Sequence, residues 1–441
     1  MRFSSLDDWL NWQQNLNPKE IDLGLERVSV VLEKLELSAD FFCPVITVAG
    51  TNGKGSTVAF VESILHQSTV SVGCYTSPHL FKYNERIRIN QQPVSEPVLC
   101  EAFETVDQAR CSDGADIPLT YFEFGTLAAL LIFKKFNVSV AVLEVGLGGR
   151  LDAVNVIHAD VAVISSISID HIDWLGDDIE LIAREKAGIL RRDKPAVLGF
   201  FRPQQSILDM AQQLRVPLLK LGEDYLYQGV LGGEESSWQL KSSKRQWHHL
   251  PLPALPGGFQ MQNAAAAIMA IDALPTGSMP KNTPLKSEMI AAGLLQVKLS
   301  GRFQVVSRSP EVIVDVAHNE ASAGVLSELL NEREISGQTI AIVAMLADKA
   351  VSQVLQTVDS EVDHWISAGL TVSGGARRGL QSKKMAQAVR ELRADVKLCV
   401  CETVREACEK ALALAEQNDR IIIFGSFYTV ADAMTFFNLN N

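Results

Sequence analysis

Residues Val45 to Thr57 read VITVAGTNGKGST. An apolar, β-branched run ends at once in Gly50, Gly53 and Gly55, with Lys54 between the last two and the hydroxyls of Ser56 and Thr57 behind them. Glycine loses more backbone freedom on folding than any other residue, so glycines this dense signal a demand on backbone shape. A strand, a glycine loop and a helix start in that order line up backbone N–H groups as a concave anion site. Lys54 adds a point charge suited to the β- and γ-phosphates of a nucleotide. The G-x-x-x-x-G-K spacing would put a glycine at position 48, where this chain has Val48, and Gly55 replaces the hydroxyl expected after the lysine. Nucleotide binding is therefore expected, while the hydroxyl that meets a magnesium ion is left open.

The chain has 441 residues, which is too long for one ordinary core and predicts two or three domains. Its net charge of -12 excludes a broad nucleic-acid footprint. No apolar run approaches the roughly 20 residues that span a bilayer, and the acidic start MRFSSLDDWLNW is not a secretory signal. The 7 cysteines form no CxxC pair, which points to a reducing cytoplasm.

Apolar strand-length runs at Val45–Ala49, Val138–Val145, Val161–Ser165, Ala196–Gly199 and Val216–Lys220 alternate with helical stretches. This predicts an α/β domain with a parallel sheet covered by helices on both faces. Tyr225–Leu250 breaks the alternation and reads as a small antiparallel excursion. The theme resumes with strands at Val312–Val316, Thr339–Ala344, His364–Ser367, Lys397–Val400 and Ile421–Phe424. The expected division is a P-loop-type domain over residues 1–296 and a smaller, Rossmann-like α/β domain over residues 301–441.

Further polar residues sit where strands end, and ligands of α/β sheets gather there. Glu144 closes the run VSVAVLE, a position from which a carboxylate can hold magnesium beside a phosphate loop. The glycines that follow resemble a dinucleotide fingerprint, but the third glycine position holds Leu151, which argues against a dehydrogenase. Asp170 and His171 follow another strand, as a metal ligand or as a helix cap with a structural histidine. Ser77 in YTSPHL is a ligand or a turn residue. Lys186 in AREKAGIL is a snorkelling lysine or, if desolvated, a nucleophile that could take up CO₂ as a carbamate. Arg302 near the domain boundary is a surface ion-pair residue or a group brought onto bound phosphates.

Together these stretches resemble the folylpolyglutamate synthase family of Mur-type ATP-dependent amide ligases. The likeness is carried by IDLGLERV, VAGTNGKGST, YTSPHL, LTYFEFGT, LEVGLGGRLDA, SIDHIDWLG, REKAGI, GRFQ, DVAHN and FGSFYTV, spread over nearly the whole chain. It implies a cytoplasmic, monomeric ligase that uses ATP, two magnesium ions and an acyl phosphate to join L-glutamate to 7,8-dihydropteroate and to reduced folates. A monofunctional folylpolyglutamate synthase and a nucleotide-dependent switch are the alternatives. The resemblance places Gly53, Lys54, Gly55, Ser56, Asn263, Arg302, Asp315 and His318 at ATP, and Ser77, Glu144 and His171 at magnesium. It makes Lys186 a carbamate, and it makes Lys54, Lys186, His171 and Arg302 the catalytic set. Thr120, Tyr121, Phe122 and Glu123, with Leu151, Asp152 and Ala153, fall around the pterin. Arg377, Arg378 and Ser426 are candidates for anionic carboxylates. Glu320 stands where the family often has proline after DVAHN.

Overall fold

The computed structural model describes all residues except 1, 20, 69, 115, 231–236, 276–284, 371–377 and 440–441. The chain forms two compact units. The first comprises Met1–Ile169, Leu175–Ala254 and Gln260–Lys298, and the second comprises Asp170–Trp174, Leu255–Phe259 and Leu299–Asn441.

In the first unit β1 (Val45–Ala49) is buried at every position, as a strand covered on both faces must be. It lies between β5 (Val140–Glu144) and β6 (Val161–Ile164), parallel to both. Around them run β2 (Val72–Tyr75), β3 (Ile87–Ile89), β4 (Gln92–Pro93), β7 (Ala196–Leu198) and β8 (Leu218–Lys220). The order across this 8-stranded sheet is β4-β3-β2-β5-β1-β6-β7-β8. The expected parallel pattern holds from β2 to β8, whereas β3 and β4 fold back antiparallel at one edge. Short strands with a tight Asn90–Gln91 turn make that hairpin, and both turn residues have positive φ. The expected excursion is a 3-stranded antiparallel sheet of β9 (Tyr225–Val230), β10 (Ser237–Ser242) and β11 (Gln246–Pro251).

Helix Lys54–His66 leaves β1 through the glycine loop and is buried along most of its length. Helix Ser287–Gln296 packs on it so closely that a Cβ on Gly293 would sit 2.6 Å from the Ile64 Cα. Helices Glu96–Arg110 and Gln205–Leu214 are additions to the sequence reading.

The second unit holds β12 (Gln304–Arg308), β13 (Glu311–Asp315), β14 (Thr339–Val343), β15 (His364–Ser367), β16 (Lys397–Val400) and β17 (Arg420–Phe424). Their order is β12-β13-β17-β14-β15-β16. All neighbours are parallel except β12 with β13, an antiparallel edge that the sequence reading lacked. Trp365, Phe424 and Leu355 are among the residues filling its core. No helix among the described residues is long and apolar enough to cross a membrane.

Candidate active site

The glycine loop owes its course to two of its glycines. Gly50 has a φ of 150°, and a Cβ there would lie 2.0 Å from the Ser165 Oγ at the exit of β6. Gly53 has a φ of 82° and caps the helix, and a Cβ there would lie 2.5 Å from the Asn263 Oδ1. Side chains would be both strained and obstructed at these positions. Serines beyond β6 pin the loop: Ser165 Oγ donates to the Asn52 carbonyl at 2.7 Å, and Asn52 N donates to Ser166 Oγ at 2.9 Å.

Two lysines converge on this loop. Lys54 Nζ donates to the carbonyls of Gly50 at 2.8 Å and Thr51 at 3.0 Å. Lys186 Nζ, from the buried face of helix Ile179–Ala187, donates to the same Gly50 carbonyl at 3.2 Å. Lys186 is only 4% exposed, so it is a buried lysine rather than a snorkelling one. Two ammonium groups on one carbonyl create a strong local demand for anionic charge. Ser56 is buried and accepts from Gln260 Nε2 at 3.4 Å, and Gln260 Oε1 accepts from Asn263 Nδ2 at 3.0 Å. Asn263 thus stands against Gly53, which belongs with it to the ATP set that the resemblance implies.

Glu144 ends β5 and is 5% exposed. Its Oε2 accepts the Ser77 N–H at 3.0 Å, and its Oε1 would lie 3.7 Å from a Cβ on Gly55. Ser77, Glu144 and the first turn of the phosphate-loop helix are therefore brought together. No group of three or more His, Cys, Asp or Glu side chains among the described residues could cage a metal. One carboxylate beside Ser77 and the glycine loop instead fits magnesium, which usually binds through one or two carboxylates plus substrate phosphates.

The candidate pterin residues divide into two kinds. Phe122 and Asp152 meet at Gly146: a Cβ on that glycine would lie 2.8 Å from Phe122 Cζ and 3.2 Å from Asp152 Oδ2. Tyr75 stacks on Phe122 with ring centroids 5.5 Å apart. Ala153 is buried and Leu151 half-buried in the same loop. Asp152 also accepts from Leu147 N at 2.8 Å and Val154 N at 3.1 Å. Burial pushes its carboxyl up to about 6 against the pull of these hydrogen bonds. Thr120 and Glu123 carry a local duty: they form the capping box of helix Tyr121–Lys135, and Glu123 also pairs with Arg27 at 3.1 Å.

Sequence reasoning passed over Arg86, whose guanidinium lies over the rings of Tyr83 at 5.4 Å and Tyr121 at 5.6 Å. Arg86 Nε donates to His79 Nδ1 at 2.8 Å, and burial together with that arginine pushes His79 down to about 3. The alternating arginines of NERIRIN, next to YTSPHL, were the available signal.

The second unit has its own polar centre. Asp315 ends β13 and accepts from Phe303 N and Ala317 N, both at 2.7 Å. Desolvation raises its carboxyl above the ordinary value although Arg302 opposes this. The Arg302 guanidinium lies 5.3 Å over the Phe427 ring. Asp170 receives Lys349 Nζ at 2.7 Å and Asn319 Nδ2 at 2.9 Å, with His318 Nε2 at 3.6 Å. Burial disfavours the Asp170 carboxylate, but these partners hold it well below the usual range. His171, at a φ of 54°, keeps its Nε2 at 4.0 Å from Asp170. Asp170 is thus the anion of a side-chain network as well as the acceptor of the His171 N–H at 2.7 Å. Ser426 caps helix Phe427–Phe436 by accepting from Thr429 N at 3.0 Å, so its oxygen has a structural use. Arg378 pairs with Asp348 at 3.3 Å, and Arg377 lies outside the described residues.

Residues 48–271 match the Mur ligase middle domain, and residues 301–427 match the glutamate ligase domain of Mur ligases. The chain is 40% identical over 433 residues to the dihydrofolate synthase/folylpolyglutamate synthase of Escherichia coli strain K12, covering 98% of this chain and 95% of that protein. It is similar to E. coli FolC solved in complex with DHPP and ADP, at a TM-score of 0.88 and 39% identity over 99% of this chain and 98% of that one. A bifunctional folylpolyglutamate synthase/dihydrofolate synthase with Mn, AMPPNP and L-glutamate bound matches at a TM-score of 0.86 and 40% identity, over 99% and 98% of the two chains.

Proposed function

The chain belongs to the Mur ligase family, in its dihydrofolate synthase/folylpolyglutamate synthase branch, and from that premise we propose that it joins L-glutamate to 7,8-dihydropteroate and to the glutamate tail of reduced folates at the expense of ATP. The observation that carries this reading is a phosphate loop faced by two lysines and a buried strand-end glutamate. The relatives with DHPP, ADP, AMPPNP and L-glutamate bound support the same substrates. The bifunctional reading is favoured over a monofunctional one because the full-length relatives carry both names.

Chemistry proceeds in two displacements. An oxygen of the acceptor carboxylate bonds to the γ-phosphorus of ATP as the bridging P–O bond breaks, which gives an acyl phosphate and ADP. The amine of L-glutamate then attacks the acyl carbon, loses a proton, and expels phosphate from the tetrahedral intermediate to leave an amide. Positioning and charge neutralisation supply most of the catalysis in such transfers. Lys54 and the amides of Gly53, Gly55 and Ser56 hold the phosphates in this reading, with Asn263, Asp315 and His318 completing the nucleotide site. Arg302 offsets charge that grows during transfer. When bound, magnesium neutralises the β- and γ-phosphates, and Ser77, Glu144 and His171 are the residues that would hold the two ions. Lys186 suits carbamylation in this reading: once its buried ammonium has given up one proton, the nitrogen bonds to the carbon of CO₂ and a second proton leaves, which turns a cation into an anion. The aromatic face of Phe122, with Tyr121 and the Leu151–Ala153 loop, receives the flat pterin, and Asp152 supplies the polar contact.

Residues 1–296 then form the ATPase and pterin domain, and residues 301–441 the ligase domain of a cytoplasmic monomer. The test is product mass spectrometry and ADP release with each acceptor plus glutamate. Amide products from both acceptors are expected. Silence with dihydropteroate but turnover with tetrahydrofolate makes the enzyme monofunctional, and glutamate-independent ATP turnover without amide makes it a switch.

A further inference from the structure

The helix that follows the phosphate loop carries a buried acid with no part in the chemistry above. Glu62 is 4% exposed and lies seven residues after Gly55, on the same helical face. The start of that face meets Glu144, and Glu62 meets Arg88 of β3. The contact uses two donors of one guanidinium edge: Arg88 Nε reaches Glu62 Oε2 at 3.0 Å and Nη2 reaches the same oxygen at 2.7 Å, with Nε also 3.3 Å from Oε1. Gln91 N donates to Oε1 at 3.0 Å. The other arm of the guanidinium, Nη1, donates to Thr76 Oγ1 and to the Glu85 carbonyl, both at 3.0 Å. Thr76 N in turn donates to the Arg86 carbonyl at 2.8 Å. The next residue is Ser77, whose N–H rests on Glu144.

A buried ion pair is weak evidence for stability, because desolvation offsets most of its Coulombic gain and apolar residues of similar size serve as well. Geometry is what this pair adds. Only a planar, forked donor can hold a carboxylate with one edge while its other arm holds a hydroxyl and a carbonyl. Burial works against the guanidinium, yet Glu62 keeps it firmly charged. The charge is thus fixed and locally balanced.

We propose that Arg88, anchored on Glu62, is a positioning residue for the divalent cation: it fixes Thr76 and thereby the Ser77–Glu144 pair in the orientation that receives the ion. The inference rests on the assignment of Ser77 and Glu144 to magnesium. Its reach is specific, since it runs from the phosphate-loop helix to the ligand pair through one hydroxyl.

Thr76→Val tests it, because valine keeps the shape of threonine and deletes the acceptor of Arg88. Binding of Mn²⁺ in the presence of AMPPNP is followed by the loss of free-ion electron paramagnetic resonance signal beyond the loss that AMPPNP causes without protein, which requires no turnover. Mn²⁺ affinity should fall about 10-fold, as is usual when the support of a metal ligand is lost. AMPPNP affinity at saturating metal and the thermal midpoint should stay at the wild-type values. Arg88→Lys, which keeps the charge but loses the fork, should weaken Mn²⁺ at least as much. Glu144→Gln runs beside them. If Glu144→Gln abolishes Mn²⁺ binding while Thr76→Val binds as wild type, the positioning role is overturned and the metal site stands. If Glu144→Gln itself binds Mn²⁺ normally, the metal assignment fails and the inference falls with it.

Discussion

Asp152 in the first unit and Asp315 in the second perform the same local task in different company. Each accepts backbone N–H groups from the loop it organises, Leu147 and Val154 for the one and Phe303 and Ala317 for the other. Burial holds both carboxyls above the ordinary value. What surrounds them differs. The first unit builds its polar centre from backbone: glycines, loop amides and lysines that rest on carbonyls. The second builds its centre from side chains, with Lys349 and Asn319 closing on Asp170 across 179 and 149 residues of sequence. A backbone cradle keeps its donors available for an anionic ligand, whereas a side-chain network consumes its charges internally.

The sharpest break of that contrast is Lys54→Ala. It should lower kcat/KM with either acceptor by about 10³-fold, because one preorganised charge on a transferring phosphoryl group is lost. The thermal midpoint should hardly move, since the side chain rests on loop carbonyls rather than filling the core. A variant with near-normal turnover would remove the lysine from the phosphates. Asp170→Asn is its counterpart. It should leave the Lys349 ammonium, 6% exposed, facing a neutral amide, at a cost of about 3 kcal/mol. Faster hydrogen exchange in helix Glu320–Asn331, with β1 and β5 unchanged, is the expected reading. Adding Lys349→Met should recover part of the loss, and no recovery would mean that the ion pair is not what Asp170 contributes.

How much of each centre could be read in advance follows the same division. Gly50, Gly53, Lys54 and Glu144 lie within short motifs, so the glycine loop and the strand-end carboxylate beside it were legible. The strands bounding it were legible too, because β1 and β5 are uninterrupted apolar runs. Asp170 was read only as a helix cap beside the candidate ligand His171, since nothing within ten residues reveals Lys349 or Asn319. Arg88 was hidden by the β2–β3 hairpin, whose register sets Cys74 opposite Arg88 and so puts the arginine near Thr76. Thr120 and Glu123 show the reverse case. Their T-x-x-E spacing is a capping-box signature, but the resemblance drew attention to the pterin instead.

Lys186→Ala sharpens the first unit's side of the comparison. Loss of the proposed carbamate should reduce turnover by about 10²-fold, and acetate or another small carboxylate should restore part of it by taking the place of the missing anion. The rescue must saturate with acetate concentration and be absent in wild type. Failure at every concentration would leave Lys186 as a cation on Gly50, and the loop would then bind its anion through two lysines.

The finest discrimination comes from pH. Asp152 titrates near 6 when folded and near the ordinary 3.8 when unfolded. Below that window both states are protonated, so it contributes no slope. Within it the native state keeps a proton that the unfolded chain has released, so stability falls as pH rises, by at most about 1.4 kcal/mol per pH unit. Above the window both states are ionised and the cost persists undiminished. Asp152→Asn removes this slope, although asparagine cannot accept from both Leu147 and Val154 and is therefore less stable in absolute terms. The stability gap between wild type and variant should consequently narrow from pH 4 to pH 7 in urea titrations. Asp315→Asn should show the same sign, because burial raises that carboxyl too although Arg302 opposes it. A gap that widens with pH at Asp152 would mean that the folded protein favours the carboxylate, and a preformed cation contact would then have to replace burial as the force setting its charge.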